Sequence, residues 1–310
     1  MVSKRKGPFS GLFAILYYEF LWNLRKKKFI GLFILVFAIV TLEIALPPIL
    51  SNIQGRQLNA DPLFVFKGVG SLNGIFIFLL AVASSMNTIS GEFESGSIVP
   101  LLTKPVSRST VFAGKMLMNF LMLLTVFSFL GVYLTIGGIL IRGPQSNLNL
   151  VPLGILGLTA ATTVWTSIII FLGTFSKNSM VAALGSFGIY IVIAIVANLV
   201  AAFLGSAYLL FFAPGDGAPG STGSCGGGFG SETATGTNAL GYLLMQWSNN
   251  PNSTLNFCQI RFTGNRTESS ILLSEPISAV AANALGVTLF YIESLLILSW
   301  AYFRHTEVLE

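Results

Sequence analysis

The side chains that most often carry chemistry are few in this chain, and their spacing assembles no catalytic set. The single histidine, His305, stands near the carboxyl terminus with no carboxylate or cysteine cluster beside it. No Gly-x-x-x-x-Gly-Lys-Ser/Thr stretch occurs, which excludes nucleotide binding of the P-loop kind. Residues 214–230 hold eight glycines, but no lysine accompanies them and no helix start follows, so the stretch reads as linker rather than phosphate cradle. His, Cys, Asp and Glu nowhere fall at metal-ligand spacing. Catalytic residues, metal ligands and a resident cofactor are therefore not expected in this chain. Two carboxylates, Glu43 and Glu293, interrupt long apolar runs. A charge at the centre of a bilayer costs about 2.5–3.5 kcal/mol on the gentler scales, so such a residue normally faces a cavity, a partner or a bundle interior. Glu43 precedes Pro47-Pro48, near the end of its run, whereas Glu293 lies deeper, among Tyr291, Ser294 and Ser299, hydroxyls able to hydrogen-bond a neutral acid. Each acid has two readings, a structural one and a place on a transport path.

The elements that hold these residues are membrane-spanning. Of 310 residues, 53% are hydrophobic and 9% charged, and the mean hydropathy is +0.77. About 25% charge is usual in soluble domains, so a soluble enzyme is excluded. The formal charge of +5 comes from basic residues clustered beside apolar runs, which suits orientation in a bilayer and not nucleic-acid binding. Six runs reach the roughly 20 residues a spanning helix needs: 29–50, 69–90, 116–141, 153–176, 181–203 and 279–302. Ahead of them, Phe9, Leu12, Phe13, Leu16, Phe20 and Leu24 recur at helical spacing, with Glu19, Asn23, Lys26 and Lys27 on the other side. That pattern predicts an amphipathic helix lying in the interface. The fold class expected is an all-α polytopic membrane protein: six transmembrane helices, an amino-terminal interfacial helix and one large external loop.

Placing the amino terminus inside puts 12 of the 17 Lys and Arg residues on the cytoplasmic side, including the run Arg25–Lys28. Both termini are then cytoplasmic in a multi-pass protein of the cell membrane. The fifth run continues apolar to Ala213, too long for one span, so residues 204–213 are expected to bend, re-enter or lie at the outer surface. The loop 214–278 falls outside. It contains both cysteines, Cys225 and Cys258, and both Asn-x-Ser/Thr sites, at Asn252 and Asn265. A disulfide is expected there, since such bonds persist mainly outside the cytosol. Closing an interval of 33 residues would contribute about 3–4 kcal/mol by loop entropy. The Asn sites are glycosylation acceptors in a host that modifies secreted proteins.

The connection between the second and third spans is the most informative stretch. Residues 90–115 read as an acidic turn, a short apolar helix stopped by proline, and a basic start to the next span. Glu92 and Glu94 precede Gly96-Ser97. Ile98, Leu101 and Leu102 follow, then Pro105-Val-Ser-Arg108 and Gly114-Lys115. Apolar side chains exposed on a cytoplasmic turn call for a protein that covers them. This stretch resembles the loop of permeases of the type-two exporter branch of ABC transporters, the type V fold. There an acidic pair is followed by Gly-Thr, a Leu-rich turn, Pro-Val-Ser-Arg and Gly-Lys. Ser97 stands for the threonine, and Pro100 falls within the expected helix, which shortens it. The interfacial helix, six spans and short tail extend the likeness over nearly the whole chain.

What the resemblance implies is a permease subunit of an ATP-driven exporter. Two copies, a homodimer or a pair with a close paralogue, form the path in the lipid bilayer. Two separate cytosolic ATPase subunits carry ATP and Mg and bind the coupling residues Glu92, Glu94, Gly96, Ser97, Ile98, Leu101, Leu102, Pro105 and Arg108. The expected organisation is 1–28 for the cytoplasmic terminus and interfacial helix, and 29–213 for five spans with the coupling loop 91–115. The external Gly/Ser-rich loop occupies 214–278, and the sixth span and tail 279–310. An ion-coupled secondary transporter using Glu43 and Glu293, or a membrane scaffold without transport, are the alternatives. Neither accounts for the loop. Nothing in the spans selects a cargo.

Overall fold

A computed structural model describes residues 8–25, 27–55, 60–70, 72, 74–96, 107–197, 199, 208–217, 220–221, 235–263 and 266–305. Six helices among them, of 18 to 35 residues, are long and apolar enough to cross a membrane. Helix α1 spans Pro8–Arg25 and α2 Lys28–Ile53, with Lys27 between them in the left-handed region at φ 54°. The second span is divided. Helix α3, Phe64–Gly70, stops before α4, Gly74–Ser85, which a turn joins to α5, Ser90–Glu94. The expected run 69–90 therefore crosses a helix break. Its start was placed too early because Leu72, between Ser71 and Asn73, keeps the run apolar across the break.

Helix α6, Arg108–Arg142, is 35 residues long, about 52 Å. It begins eight residues before the expected span, because Ser107 caps it, its Oγ accepting from the Thr110 amide at 3.1 Å. Helix α7, Val151–Ser176, follows a 3-10 turn at Leu148–Leu150 and is the hub of the bundle, with 72% of its apolar window buried. A two-residue turn leads to α8, Ser179–Val192, which ends in a π turn at Ile193–Ala197. This span is the least buried of the six, so it lies on the outside of the chain. The last helix, α11, runs Ile277–His305.

Between α8 and α11 the chain folds more than a linker would. Helix α9, Tyr208–Phe212, is short, and its Leu210 and Phe211 are buried. After a 3-10 turn at Thr237–Ala239, helix α10, Leu240–Asn249, buries Leu240, Tyr242, Leu243 and Met245 against α3, α7 and α11. A three-stranded antiparallel sheet closes the region, in the order β1 (Gly220–Ser221), β2 (Thr254–Thr263), β3 (Arg266–Pro276). The stretch expected to be a flexible external loop is thus folded over 235–263 and 266–276, because the apolar positions of α10 have a surface to bury on. That surface is made by glycine. A Cβ on Gly157 of α7 would stand 2.5 Å from Gly241 Cα, so the two backbones meet only because both residues lack side chains.

Candidate functional site

Both flanks of the segment 97–106 are fastened to one frame at the end of the bundle that carries α1 and the α7–α8 turn. The core of this frame is an ion cluster. Lys115 Nζ, on α6, donates to Glu19 Oε1 of α1 and to Glu92 Oε1 of α5, both at 2.5 Å. The three side chains are 3%, 8% and 18% exposed. Charges so deprived of water are tolerated only when paired, and removing one partner leaves the others uncompensated. Gly114 explains how α1 comes so near: a Cβ there would lie 2.6 Å from Ile15 Cγ2. The Gly114-Lys115 pair thus serves a helix crossing and its ionic lock.

Glu94 has a separate task. Its Oε1 accepts from the Ser179 amide at 2.8 Å and its Oε2 from Ser179 Oγ at 2.7 Å. With Asn178 Oδ1 accepting from the Val181 amide at 2.9 Å, two side chains cap the start of α8. The hydrogen bonds tie α5 to the α7–α8 turn. Gly96, at φ 66°, ends α5 in the left-handed conformation suited to glycine, its amide donating to Phe93 O at 3.2 Å. On the other flank, Arg108 Nη1 donates to Arg304 O at 3.3 Å and Trp300 Nε1 to Ser109 Oγ at 3.0 Å. Ile89, Phe112, Ile170 and Phe303 make a small apolar core beneath these contacts.

The structure therefore brings together Glu92, Glu94, Gly96 and Arg108. Ser97, Ile98, Leu101, Leu102 and Pro105 lie outside the described residues. Glu19 was not among the sequence-based site residues. The helical spacing put it opposite the apolar stripe, yet it is the buried member of α1, while Phe13, Tyr17 and Phe20 are exposed. Its signal was a lone acid in an apolar helix, paired in number with a lone lysine at a helix start.

The two intramembrane acids are not brought together. Glu43 is half-buried on α2 and packs on α3, where a Cβ on Gly68 would lie 2.7 Å from its Oε1. Glu293 is exposed on α11. The hydroxyls expected to bond it donate to carbonyls instead: Tyr291 to Phe212 O, Ser294 to Phe290 O and Ser299 to Leu295 O. Cys258 lies on β2 opposite Ile271, and Cys225 is outside the described residues. Asn252 is exposed in the turn before β2, and Asn265 is also outside them. No group of three or more His, Cys, Asp or Glu gathers among the described residues.

A second polar cluster, unforeseen in the sequence, runs from the exposed Asp216 to the buried Asn238 and Trp165. Trp165 Nε1 donates to Asn238 Oδ1 at 3.0 Å, and Asn238 Nδ2 to Asp216 Oδ1 at 3.0 Å. Trp165 lies 14 residues, about 21 Å, along α7 from Val151. Loop-borne polar groups thus reach the middle of a spanning helix.

These six apolar helices, with a polar frame at one end, are the setting for the comparison with known sequences. The family model described as ABC-2 family transporter protein matches residues 13–305. The chain belongs to the ABC-2 transporter family. A search of the curated proteins returned no match. As an ABC-2 member the chain is a multi-pass membrane permease of an ABC transporter, a non-enzymatic component of a family that normally partners with an ATPase subunit.

Proposed function

We propose that this ABC-2 permease is the transport subunit of an ATP-driven exporter, and that residues 97–106 engage a separate cytosolic ATPase subunit that binds ATP and Mg. One observation carries the reading: Gly96 and Ser107, the two flanks of that segment, are anchored in the same frame. Lys115 joins that frame to α1, Glu94 joins it to the α7–α8 turn, and Arg108 joins it to the end of α11. A displacement of the segment is therefore passed to several helices together, as coupling requires. In this reading Glu92 and Glu94 position the segment from within the chain, while Ile98, Leu101 and Leu102 fill a cleft on the ATPase.

The Lys/Arg distribution supports placing both termini and this frame on the cytoplasmic side of the cell membrane, with α1 in the interface. The β2–β3 hairpin is then external. Its location supports a Cys225–Cys258 bridge and, in a glycosylating host, sugar on Asn252 and Asn265. Non-reducing peptide mapping checks all three, and free thiols in fresh membranes would refute the bridge. The sparsely buried α8 and the exposed Glu293 support a second permease copy, which would cover apolar surface and line a path. The coupling test is the Leu101→Ala/Leu102→Ala variant in lipid. Truncating central apolar anchors typically costs 2 kcal/mol or more, about thirtyfold in affinity. Co-purification of the ATPase and substrate-stimulated hydrolysis should both fall. Retention of the ATPase together with full transport would end this reading.

A further inference from the structure

The ammonium of Lys115 is not fully met by the lock. It has three N–H donors, and the described residues answer two of them, through Glu19 Oε1 and Glu92 Oε1. One turn further along α6, the Asn119 carboxamide makes no hydrogen bond among the described residues, and its Oδ1 is buried. Lys115 is 3% exposed and Asn119 6%, so bulk solvent meets neither. Residues four apart on a helix stand side by side. An unmet donor and an unmet acceptor therefore share one face of α6.

That face borders a cavity of about 290 Å³ which the coupling reading does not use. One water requires only about 10–15 Å³. Glu19, Lys28, Glu92 and Lys115 all line the space, two acids and two bases, so it calls for no net charge. Asn87, in the turn between α4 and α5, is on the same wall and is exposed, so the cavity reaches the surface. An occupant between Lys115 and Asn119 has to accept at one end and donate at the other. Water does both, and buried polar groups that lack a protein partner are regularly met by it.

We infer that ordered water binds here, accepting from Lys115 Nζ and donating to Asn119 Oδ1, as a fourth member of the lock that holds α1 on α6. No ATPase takes part, so the full chain alone in lipid nanodiscs provides the test. X-ray pulses make hydroxyl radicals from water at the site itself, and methionine sulfur traps them as sulfoxide. Met118 and Met122, 6% and 1% exposed, line the cavity, while Met245, 0% exposed in α10, is the reference. Mass spectrometry should find Met118 and Met122 oxidised about tenfold faster than Met245. Equal rates, which need no variant, overturn the proposal. Asn119→Leu removes the acceptor, and oxidation of both methionines should then fall towards the Met245 rate. Amide protection of residues 12–24 should fall about tenfold with it, as for one lost hydrogen bond to a charged group. Unchanged protection would strike the water from the lock. Asn119→Gln, for which the cavity has room, should keep both readouts near wild type. Met118 and Met122 also border the apolar groove beside Phe13 and Leu121. If Asn119→Leu leaves their oxidation at the wild-type rate, the radicals come by that groove and the water site is refuted.

Discussion

Replacing Lys115 by methionine isolates the work of the ionic lock. Methionine keeps most of the side-chain volume, so Gly114 and Ile15 can still meet and the change is chiefly electrostatic. Glu19 and Glu92, 8% and 18% exposed, then lose the ammonium that lies between them. Breaking a buried pair from one side typically costs about 3–5 kcal/mol, because the charge left behind has lost its counter-ion away from bulk water. Glu92 retains some contact with water, which argues for the lower half of that range. At 1.4 kcal/mol per factor of ten, 3 kcal/mol is about two decades in the equilibrium between docked and undocked α1. Amide hydrogen exchange of residues 12–24 in lipid nanodiscs reads that equilibrium directly. Protection should fall about a hundredfold in Lys115→Met. The triple variant Glu19→Gln/Lys115→Met/Glu92→Gln should recover most of the loss, since a neutral set carries no unpaired charge. Unchanged exchange in the single variant, or a triple variant no better than the single one, would refute the ionic account of the frame.

Two further outcomes follow from the packing of α10. Gly157→Ala places a methyl 2.5 Å from Gly241 Cα, where only backbone can yield. It should cost about 1–3 kcal/mol, seen as lower thermal stability in detergent, and an unaffected protein would mean that α10 does not pack as described. Trp165→Phe deletes the donor to Asn238 Oδ1 and leaves a buried acceptor, an expected loss of about 1–3 kcal/mol. Thermal unfolding measures it, and with Asn238→Leu the combined loss should be less than the sum of the two single losses, because the Trp165–Asn238 bond is counted in both.

Much of the architecture was readable in the residues, because a bilayer demands about 20 apolar residues per crossing and leaves little room for ambiguity. What escaped the reading was shorter than that length. Helix α10 has ten residues and follows a Gly/Ser-rich stretch, so composition suggested linker although Leu240, Leu243, Leu244 and Trp247 recur at helical spacing. The break between α3 and α4 escaped for the opposite reason, since Leu72 and the helices on either side keep the run apolar. Periodicity also shows which residues share a face of α1 without saying what covers it. Glu19 shares the polar face, and that face turns to Lys115 rather than to water. At the candidate site, Gly96 and Arg108 stood in the motif, and the Gly96 bond to Phe93 O is local, but the partner of Arg108, Arg304 O, is set by tertiary structure.

The polar wedge formed by Asn238 and its neighbours bears on the order of assembly. Its partner Trp165 is made early, on α7, whereas α10 also needs α11, which is synthesised last. The surface of α7 that receives Gly241 and Asn238 must therefore wait for a segment more than 70 residues downstream. During that interval the glycine face of α7 and the indole N–H of Trp165 lack their native partners, while Phe78 and Tyr190 flank the ring. Completion of this permease is thus a closing step made from the loop inward: α10 docks only after the sixth helix has been threaded. A chain shortened before residue 277 would retain five spans and the wedge but lose the wall that holds it. Folding intermediates of this protein should accordingly be sought at the hairpin end of the bundle, while the frame around Lys115, built from α1, α5 and α6, can form as soon as the first half is inserted.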